Sequence, residues 1–445
     1  MRPLTPLRTL PPAQGFKQGD VFVLFGELFS RGYANGLVDE AKAAGMTLIG
    51  ITVGRRDKEN QLRPLTPEEL SEAEANLGGK ILNYPLWAGF DMDPCSTGTQ
   101  PAEMIAGVKP NEWEDFKLDW TLVEEARQEG FRRFRETAAL MAAELKGLIP
   151  QGANVFFSHT MAGGIPKAKI FLVLINRAIK GTGARYLSSK GLWESDLGRL
   201  ASLNYDAVSA DSFKDLLDAT ASIREMVSGW GGQCVYTGYG YHGTEILIQG
   251  QYRWQTYTPY LPGWAKKKLE DYAAQARQEG IRATIFNCPE IRTNSSDLFS
   301  GVELSLYPLL AALEKEGGGA WVQQQREICA AKLTPDMNLE EMMAAVDAYH
   351  LDPIVTEFYQ DFENWPRHNT AELAELMVGT SDRLMAYNAD KKDLVTDHLS
   401  ELVVQSSGRL MFRLAVSTEE PVLFLGHDII AKDLLKAQPE CTPWR

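Results

Sequence analysis

The sequence predicts an α/β fold built on a doubly wound parallel sheet, and three observations lead to this prediction. Short, continuous apolar runs such as VFVLF (residues 21–25) recur along the chain, and such runs are typical of strands buried on both faces of a parallel sheet. Helical segments separate the runs, and glycine-containing turns join the two kinds of element. This alternation favours a Rossmann-like sheet with crossover helices.

The elements follow one another in a regular order. VFVLF leads into a glycine-containing turn, a helix with Leu37 and Ala41 on one face, the helix-ending Gly45 and the strand TLIGITV (47–53). A right-handed βαβ unit is therefore expected near the N-terminus. Further strands are predicted at ANVFFSH (153–159), within residues 231–243, and at IRATIFN (281–287).

The remaining segments are predicted to be mostly helical. We expect a Rossmann-like first domain over residues 1–320, with a helical insertion at about 58–150, and a C-terminal helical extension over residues 321–445. The extension closes with RLMFRLAVSTEEPVLFLG (409–426), two apolar runs around a polar turn. That pattern predicts a terminal hairpin.

Composition excludes several classes of protein. Forty-five Lys plus Arg face 59 Asp plus Glu, so the formal net charge is −14, which argues against a nucleic-acid-binding protein. With 44% hydrophobic residues the chain can bury a large core. No apolar run reaches the roughly 20 residues that a membrane span needs. The N-terminal MRPLTPLRTLPPAQG lacks an export signal, so a cytoplasmic location is expected.

Cysteine and histidine usage gives no metal site. The five cysteines form no CxxC pair, and the six histidines form no HExxH motif. A disulfide framework and a zinc site are therefore both poorly supported.

The turn after the first strand has the composition of a dinucleotide-binding loop. Gly26, Gly32, Ala34 and Gly36 are spaced between the strand and the first helix. Small residues there let backbone amides approach a pyrophosphate at the helix N-terminus. An ordinary tight turn is the alternative, because so loose a motif is weakly specific in a chain with 38 glycines.

The second strand is followed by Arg55 and Arg56. Dinucleotide folds that use NADH carry an acidic residue there for the ribose, whereas arginine suits a 2′-phosphate. We therefore expect NADPH to be favoured, with NADH as the alternative cofactor. A solvated basic loop would look the same.

A group of tyrosines and a lysine follows the strand within residues 231–243. A tyrosine beside an ammonium group can donate a hydrogen bond to a carbonyl oxygen on which negative charge develops. The lysine can also hold the ribose hydroxyls of a nicotinamide cofactor. In a chain with 15 tyrosines the Tyr-x8-Lys spacing is weak alone, so the placement after a strand carries the argument.

The chain resembles a divergent short-chain dehydrogenase/reductase, in particular the trans-2-enoyl-CoA/enoyl-ACP reductase family. TYTPYLPGWAKKKLED resembles the Tyr-x8-Lys segment of that family, which implies Tyr257 and Lys266 as the catalytic pair. YHGTE resembles the segment of a second active-site tyrosine, hence Tyr241, and PEIRT resembles the loop over the cofactor, hence Thr293. Tyr260 rivals Tyr257 for the acid.

Two departures from the family pattern stand out. Fifteen residues separate Tyr241 from Tyr257, more than in the family, which implies a loop inserted beside the site. SHTMAGG (158–164) differs from the family segment after the fourth strand. Ser158 is a candidate cofactor contact there, and His159 beside it is as well explained by a buried backbone cap.

The resemblance implies an NAD(P)H-dependent oxidoreductase of fatty-acid or polyketide type metabolism. Its substrate would be a trans-2-enoyl thioester on acyl-carrier protein or CoA. The alternatives are a carbonyl reductase of the same superfamily and an inactive scaffold. Two partner expectations stay open. The C-terminal extension could form a homodimer interface, and the basic FRRFRE (131–136), with Arg132, Arg133 and Arg135, could dock an acidic acyl-carrier protein.

Overall fold

A computed structural model describes residues 6–13, 15–255, 261–294, 296, 300–360 and 365–438 of the chain. Its strands are β1 (Val21–Phe25), β2 (Thr47–Ile51), β3 (Arg55–Arg56), β4 (Leu62–Arg63), β5 (Lys80–Leu82), β6 (Val155–His159), β7 (Cys234–Tyr239), β8 (Thr244–Ile248), β9 (Gln251–Gln255), β10 (Arg282–Asn287) and β11 (Val422–Phe424).

Seven of these strands form one sheet in the order β5-β2-β1-β6-β7-β10-β11. Every pairing within it is parallel. From β1 the chain builds the sheet first to one side and then to the other, which is the doubly wound Rossmann-like arrangement. The predicted fold class is confirmed. Two small antiparallel pairs, β3 with β4 and β8 with β9, lie outside this sheet.

Helices cover both faces of the sheet. In chain order they are α1 (Ala34–Ala43), α2 (Pro67–Leu77), α3 (Pro101–Met104), α4 (Trp120–Leu148), α5 (Lys169–Lys180), α6 (Ser189–Glu194), α7 (Asp196–Asp206), α8 (Ser212–Ala219), α9 (Ala221–Gly229), α10 (Gly263–Gln278), α11 (Val302–Leu306), α12 (Pro308–Glu316), α13 (Ala320–Ala331), α14 (Leu339–Leu351), α15 (Pro353–Gln360), α16 (Ala371–Ala386), α17 (Val395–Ser417) and α18 (His427–Lys436). A π-helical turn, Ala207–Asp211, joins α7 to α8. None of the helices in the described ranges is both long and apolar enough to cross a lipid bilayer.

Alternate residues of the buried strands point to opposite layers of helices. Phe22 and Leu24 of β1 pack in a core with α1, α17 and α18. Val21, Val23 and Phe25 pack in a second core with α4, α8, α9 and α10. Both sets of side chains are almost fully buried, which explains why the strand reads as one continuous apolar run.

Residues 58–150 hold α2, α3 and α4, as expected of the helical insertion, but they also supply the edge strand β5. Sequence analysis did not predict β5, because three residues are too short a run to signal a strand. A third apolar core lies beneath α5, α6 and α7, where it includes Phe90 and Trp113.

The predicted terminal hairpin is wrong. RLMFRLAVS forms the last turns of α17, and β11 pairs in parallel with β10 rather than with a neighbouring hairpin strand. Leu410, Met411 and Leu414 are all buried, so an apolar run that reads as a strand is a helix buried on several sides. The domain boundary at residue 320 remains a prediction, although the sheet takes its strand β11 from beyond it.

Helix α17 also crosses α1 at close range. A Cβ on Gly36 would lie 2.1 Å from the Val404 carbonyl oxygen, and one on Gly408 would lie 2.3 Å from the backbone of Gly36. The two glycines therefore allow the backbones to touch. Sequence analysis had singled out Gly36 as part of the turn region, not as a contact with the C-terminal segment.

Candidate active site

The loops that follow the parallel strands meet at one edge of the sheet. Strand β1 lies between β2 and β6, so the winding of the chain reverses beside β1. In open α/β sheets such a reversal leaves a crevice outside the carboxyl ends of the strands. The loops after β1, β6, β7 and β10 border this crevice, and most of the predicted site residues lie in them.

Gly26 ends β1 in a conformation that a residue with a side chain rarely adopts. Its φ is +133°, and a Cβ there would lie 2.3 Å from Oγ1 of Thr160. Its N–H donates to the carbonyl oxygen of Ile51 at 3.1 Å. The turn thus keeps side-chain atoms away from the space between the loops after β1 and β6, which is what close approach of a pyrophosphate requires.

The start of α1 suits an anion. Ala34 is buried as the first residue of the helix, and a Cβ on Gly32 in the preceding turn would meet nothing within 4 Å. Tyr33 does not cap the helix with its side chain, and no acidic residue lies in the first turn. The Tyr33 hydroxyl instead donates to the carbonyl oxygen of Pro289 at 2.7 Å. The positive end of α1 is therefore not neutralised by a side chain.

The two arginines after β2 are already engaged. The Arg55 guanidinium pairs with the carboxylate of Glu27, with NH1 at 3.1 Å from Oε2, and this pairing raises the pKa of Arg55. The Arg56 guanidinium lies 4.9 Å from the centre of the Trp87 ring and donates to the carbonyl oxygen of Asn60 at 2.7 Å. A 2′-phosphate would have to compete with Glu27 for Arg55.

Strand β6 ends in two buried polar side chains. Ser158 lies next to Tyr239 of β7, whose hydroxyl is buried, and this burial raises the pKa of Tyr239. Nε2 of His159 lies 2.8 Å from Oγ of Ser212, which itself donates to the carbonyl of Val208 at 2.6 Å. Nε2 therefore carries the proton. Burial lowers the pKa of His159 to about 3, so the imidazole is neutral.

Lys266 reaches this edge from α10. Its side chain is buried, and Nζ donates to the carbonyl oxygen of Tyr239 at 2.9 Å. Burial lowers the pKa of Lys266 to about 8. Its charge also contributes to lowering the pKa of His159, so the amine is within electrostatic reach of the end of β6. The structure thus brings the predicted lysine to the loops after β6 and β7.

Of the three predicted tyrosines, Tyr241 lies in the described part of the chain, half-buried in the loop after β7. Tyr257 and Tyr260 lie outside the described residues. Tyr239 was not predicted as a site residue; its ring stacks on that of Tyr33 with 5.6 Å between the ring centres. Its position at the end of a strand, in the run YTGYGY, was the available signal.

A buried imidazole–carboxylate pair next to Tyr241 was also missed. Nδ1 of His242 lies 3.3 Å from Oε2 of Glu270, which is one helical turn after Lys266 on α10. Asn287 at the end of β10 accepts from the His242 backbone N–H at 2.6 Å and donates to Glu270 at 2.8 Å. Both Lys266 and Glu270 therefore hold the loop after β7 from one face of α10.

The PEIRT loop after β10 carries a second buried network. Oγ of Ser305 donates to Glu290 at 2.7 Å and accepts from the side-chain amide of Gln255 at 2.7 Å. Burial raises the pKa of Glu290 to about 8. Thr293, predicted to contact the cofactor, donates its backbone N–H to Oγ of Ser296 at 2.7 Å. Through Ser305, this loop is therefore joined by hydrogen bonds to Gln255 at the end of β9.

The FRRFRE segment of α4 does not offer free charge to a partner. Arg132 pairs with Glu129 and Glu136 on its own helix. Arg133 pairs with Asp93, and Arg135 pairs with Asp215. Because each arginine is neutralised by a nearby carboxylate, the reason for proposing this segment as a docking site is removed.

The described residues fit a dinucleotide. Gly26 leaves room that a Cβ would fill, and α1 begins beside it without a side-chain cap. Oγ1 of Thr52, directly after β2, is buried without a hydrogen-bond partner among the described residues. Such an atom leaves a hydrogen bond open to a bound polar group. Lys266 stands at the far side of the crevice, where the nicotinamide half belongs.

Comparison with known proteins gives a consistent result. A family model described as Enoyl-acyl carrier protein reductase FabMG matches residues 3–434. A solved structure described as apo FabMG, a novel type of enoyl-acyl carrier protein reductase, is 52% identical over 99% of each chain, with a TM-score of 0.95. A second, described as NADH-bound FabMG, is 44% identical over 98% of this chain and 100% of that one, with a TM-score of 0.79. Among curated proteins no relative matches the chain.

The expectation that NADPH is favoured is wrong. The relative at 44% identity is described as NADH-bound, and the structure supplies a physical reason. The acidic residue expected after β2 for NADH is replaced by Arg55 and Arg56. The carboxylate comes instead from Glu27, after Gly26, and it neutralises Arg55. Arg55 therefore does not indicate a 2′-phosphate, because a carboxylate distant in the sequence already neutralises it.

Proposed function

Because this chain belongs to the FabMG family of enoyl-acyl carrier protein reductases, oxidoreductases that act on a CH–CH bond, we propose that it reduces the 2,3 double bond of a trans-2-enoyl thioester carried on acyl carrier protein, with NADH as the reductant. The observation that carries the proposal is the family match over residues 3–434. The NADH-bound relative supports the choice of cofactor.

The residues that would hold the cofactor line the crevice. Gly26 and the start of α1 would receive the pyrophosphate, since backbone N–H groups and the helix dipole favour an anion there. The Glu27–Arg55 pair and Thr52 would face the adenosine ribose, and Lys266 would face the ribose of the nicotinamide. Bound NADH supplies the hydride that adds to the β-carbon. Ser158 and Thr293 remain proposed contacts.

For the protein's own part in the chemistry we propose a tyrosine–lysine arrangement of the short-chain dehydrogenase/reductase kind. Tyr257 would donate a hydrogen bond to the thioester oxygen as negative charge develops on it, with Tyr260 and Tyr241 as the rivals for this role. Lys266 supports the proposal because it is buried and bonded to the loop that carries Tyr241. Its positive field favours negative charge nearby. The enolate is then protonated at the α-carbon.

The test is oxidation of NADH and of NADPH with crotonyl-acyl carrier protein as the substrate. We expect turnover with NADH to exceed turnover with NADPH, and Tyr257→Phe to lower kcat about 100-fold, the usual effect of losing one positioned donor. Tyr260→Phe and Tyr241→Phe are the matched controls, since each removes one hydroxyl.

Three other results would change the proposal. Activity that survives Tyr257→Phe but not Tyr260→Phe moves the acid to Tyr260. A preference for NADPH contradicts the reasoning from Glu27. Absence of any crotonyl reduction, together with reduction of acetoacetyl-acyl carrier protein, refutes the enoyl reductase activity.

A further inference from the structure

The outer face of α5 combines exposed apolar and basic side chains. Lys169, Leu172, Val173, Asn176 and Arg177 share this face, because they follow one another at helical spacing. Leu172 is 52% exposed and Val173 is 41% exposed, two of the few large apolar side chains that the described surface presents to solvent. We call these five residues the α5 face. Exposed apolar groups ringed by charge are typical of protein interaction sites.

The charge around the α5 face is opposite to that of the protein. The chain has a formal net charge of −14, yet residues 160–193 contain six Lys or Arg and no Asp or Glu. None of the ion pairs among the described residues includes Lys169 or Arg177, whereas Lys190 of the same segment pairs with Glu194 at 3.9 Å. Two acidic side chains bond to the backbone of this segment: Asp91 accepts from the N–H of Lys167 at 2.6 Å, and Glu375 accepts from the N–H of Gly183 at 3.3 Å. The remaining basic residues of the segment are Lys167, Lys180, Arg185 and Lys190.

The segment is physically continuous with the candidate active site. It begins with the loop after β6 and runs through α5 and α6. Trp193 at the end of α6 stacks on Trp264, two residues before Lys266, with 5.1 Å between the ring centres. The segment that carries the α5 face therefore contacts, through α6, the helix that carries the buried lysine.

A groove beside α4, in contrast to the α5 face, is lined mainly by acidic side chains among its charged residues. This groove of about 820 Å³ is lined by Glu124, Glu125 and Glu129, with Arg132 the basic residue among its lining. Arg132 is already paired with two glutamates. An acidic partner would be repelled from this groove and attracted to the α5 face.

We propose that the α5 face docks the acidic carrier protein that brings the enoyl thioester, so that a helix of the carrier lays its carboxylates over Lys169 and Arg177 and an apolar side chain over Leu172 and Val173. The inference rests on the proposed function, which makes a carrier-bound thioester the substrate. It adds the place where the carrier binds. Complementary charge across such a contact mainly raises the association rate and makes it sensitive to salt.

The experiment compares two substrates of one enzyme. Crotonyl-acyl carrier protein needs the docking surface, whereas crotonyl-pantetheine, a small uncharged thioester, does not. The test variant is Lys169→Glu/Arg177→Glu, and the matched control is Arg132→Glu/Lys214→Glu, which makes the same charge change at exposed sites on α4 and α8. Substitutions at exposed positions alter folding stability little.

We expect the test variant to lower kcat/KM for crotonyl-acyl carrier protein by about tenfold or more, as rim charges do at other interfaces, and to leave kcat/KM for crotonyl-pantetheine within about twofold. The control variant should leave both within about twofold. Equal losses with both substrates, or no loss with either, would overturn the docking site. A loss in the control but not in the test variant would return the docking role to FRRFRE.

Binding of the carrier, measured by calorimetry without turnover, separates this inference from the proposed function. If the wild type reduces neither thioester, the proposed function fails. Carrier binding that Lys169→Glu/Arg177→Glu weakens would still support the α5 face as a docking surface, and carrier binding that it leaves unchanged would refute it.

Discussion

Replacing Gly26 by alanine tests the nucleotide-binding turn most directly. At φ +133°, a residue with a side chain costs about 1–3 kcal/mol of backbone strain. The new Cβ would also lie 2.3 Å from Oγ1 of Thr160 and 3.2 Å from the backbone N of Met161. Moving the Thr160 hydroxyl breaks its 3.3 Å hydrogen bond to the carbonyl of Phe25, worth about 1 kcal/mol. The free energy of unfolding should therefore fall by about 2–4 kcal/mol.

The measurement is urea denaturation followed by tryptophan fluorescence, together with an NADH titration. We expect the Kd for NADH to rise about tenfold or more in Gly26→Ala, because the added methyl group would push the pyrophosphate away from the turn. A tenfold rise corresponds to a loss of about 1.4 kcal/mol of binding free energy. Gly32→Ala is the control for stability, because its Cβ meets nothing within 4 Å. The double variant Gly26→Ala/Thr160→Ala should recover about 1 kcal/mol relative to additivity. Wild-type stability and NADH affinity in Gly26→Ala would refute the reasoning.

Three further predictions concern other buried groups. Lys266→Met should lower turnover about 100-fold. Burial lowers the folded pKa of Lys266 from 10.5 to about 8, so the free energy of unfolding of the wild type should rise as the pH increases from about 8 to 10.5. Denaturation measured across this pH range should show no such rise in the variant. Burial raises the folded pKa of Glu290 from 4.5 to about 8, so the free energy of unfolding of the wild type should fall as the pH increases between these values. Glu290→Gln should remove this fall, and a fall that persists in the variant would show that another group causes it. Gly36→Ala should lower the midpoint of thermal unfolding by several degrees, because its Cβ would lie 2.1 Å from the Val404 carbonyl oxygen, and an unchanged midpoint would contradict the close helix crossing.

The sheet could be predicted from the sequence because its strands are buried on both faces. VFVLF is a continuous apolar run, ANVFFSH and IRATIFN are rich in apolar residues, and each of the three contains a strand of the sheet. The same signal failed for RLMFRLAV, because a helix buried on several sides also reads as an apolar run. β5 escaped prediction because its KIL is too short to carry a pattern.

The candidate site was predictable where the signal is local. Gly26 lies where the strand–turn–helix order implies, and Lys266, which the resemblance to the Tyr-x8-Lys segment implies, bonds to the end of β7. Contacts between distant segments gave no signal. The pairing of Arg55 with Glu27 reversed the cofactor expectation, and the His242–Glu270 pair joins residues from two elements that the sequence does not connect.

The crossing of Gly36 and Gly408 has a consequence for the order of events during synthesis. Helix α1 leaves the ribosome early, whereas the α17 surface that covers its glycine follows only after most of the described chain. Until then the side of α1 that packs against α17 has no native cover, and a newly made chain of this length is exposed to misassembly and to chaperone binding. Slow decoding or premature arrest before α17 should therefore yield insoluble product, even though the βαβ unit around Gly26 is already complete.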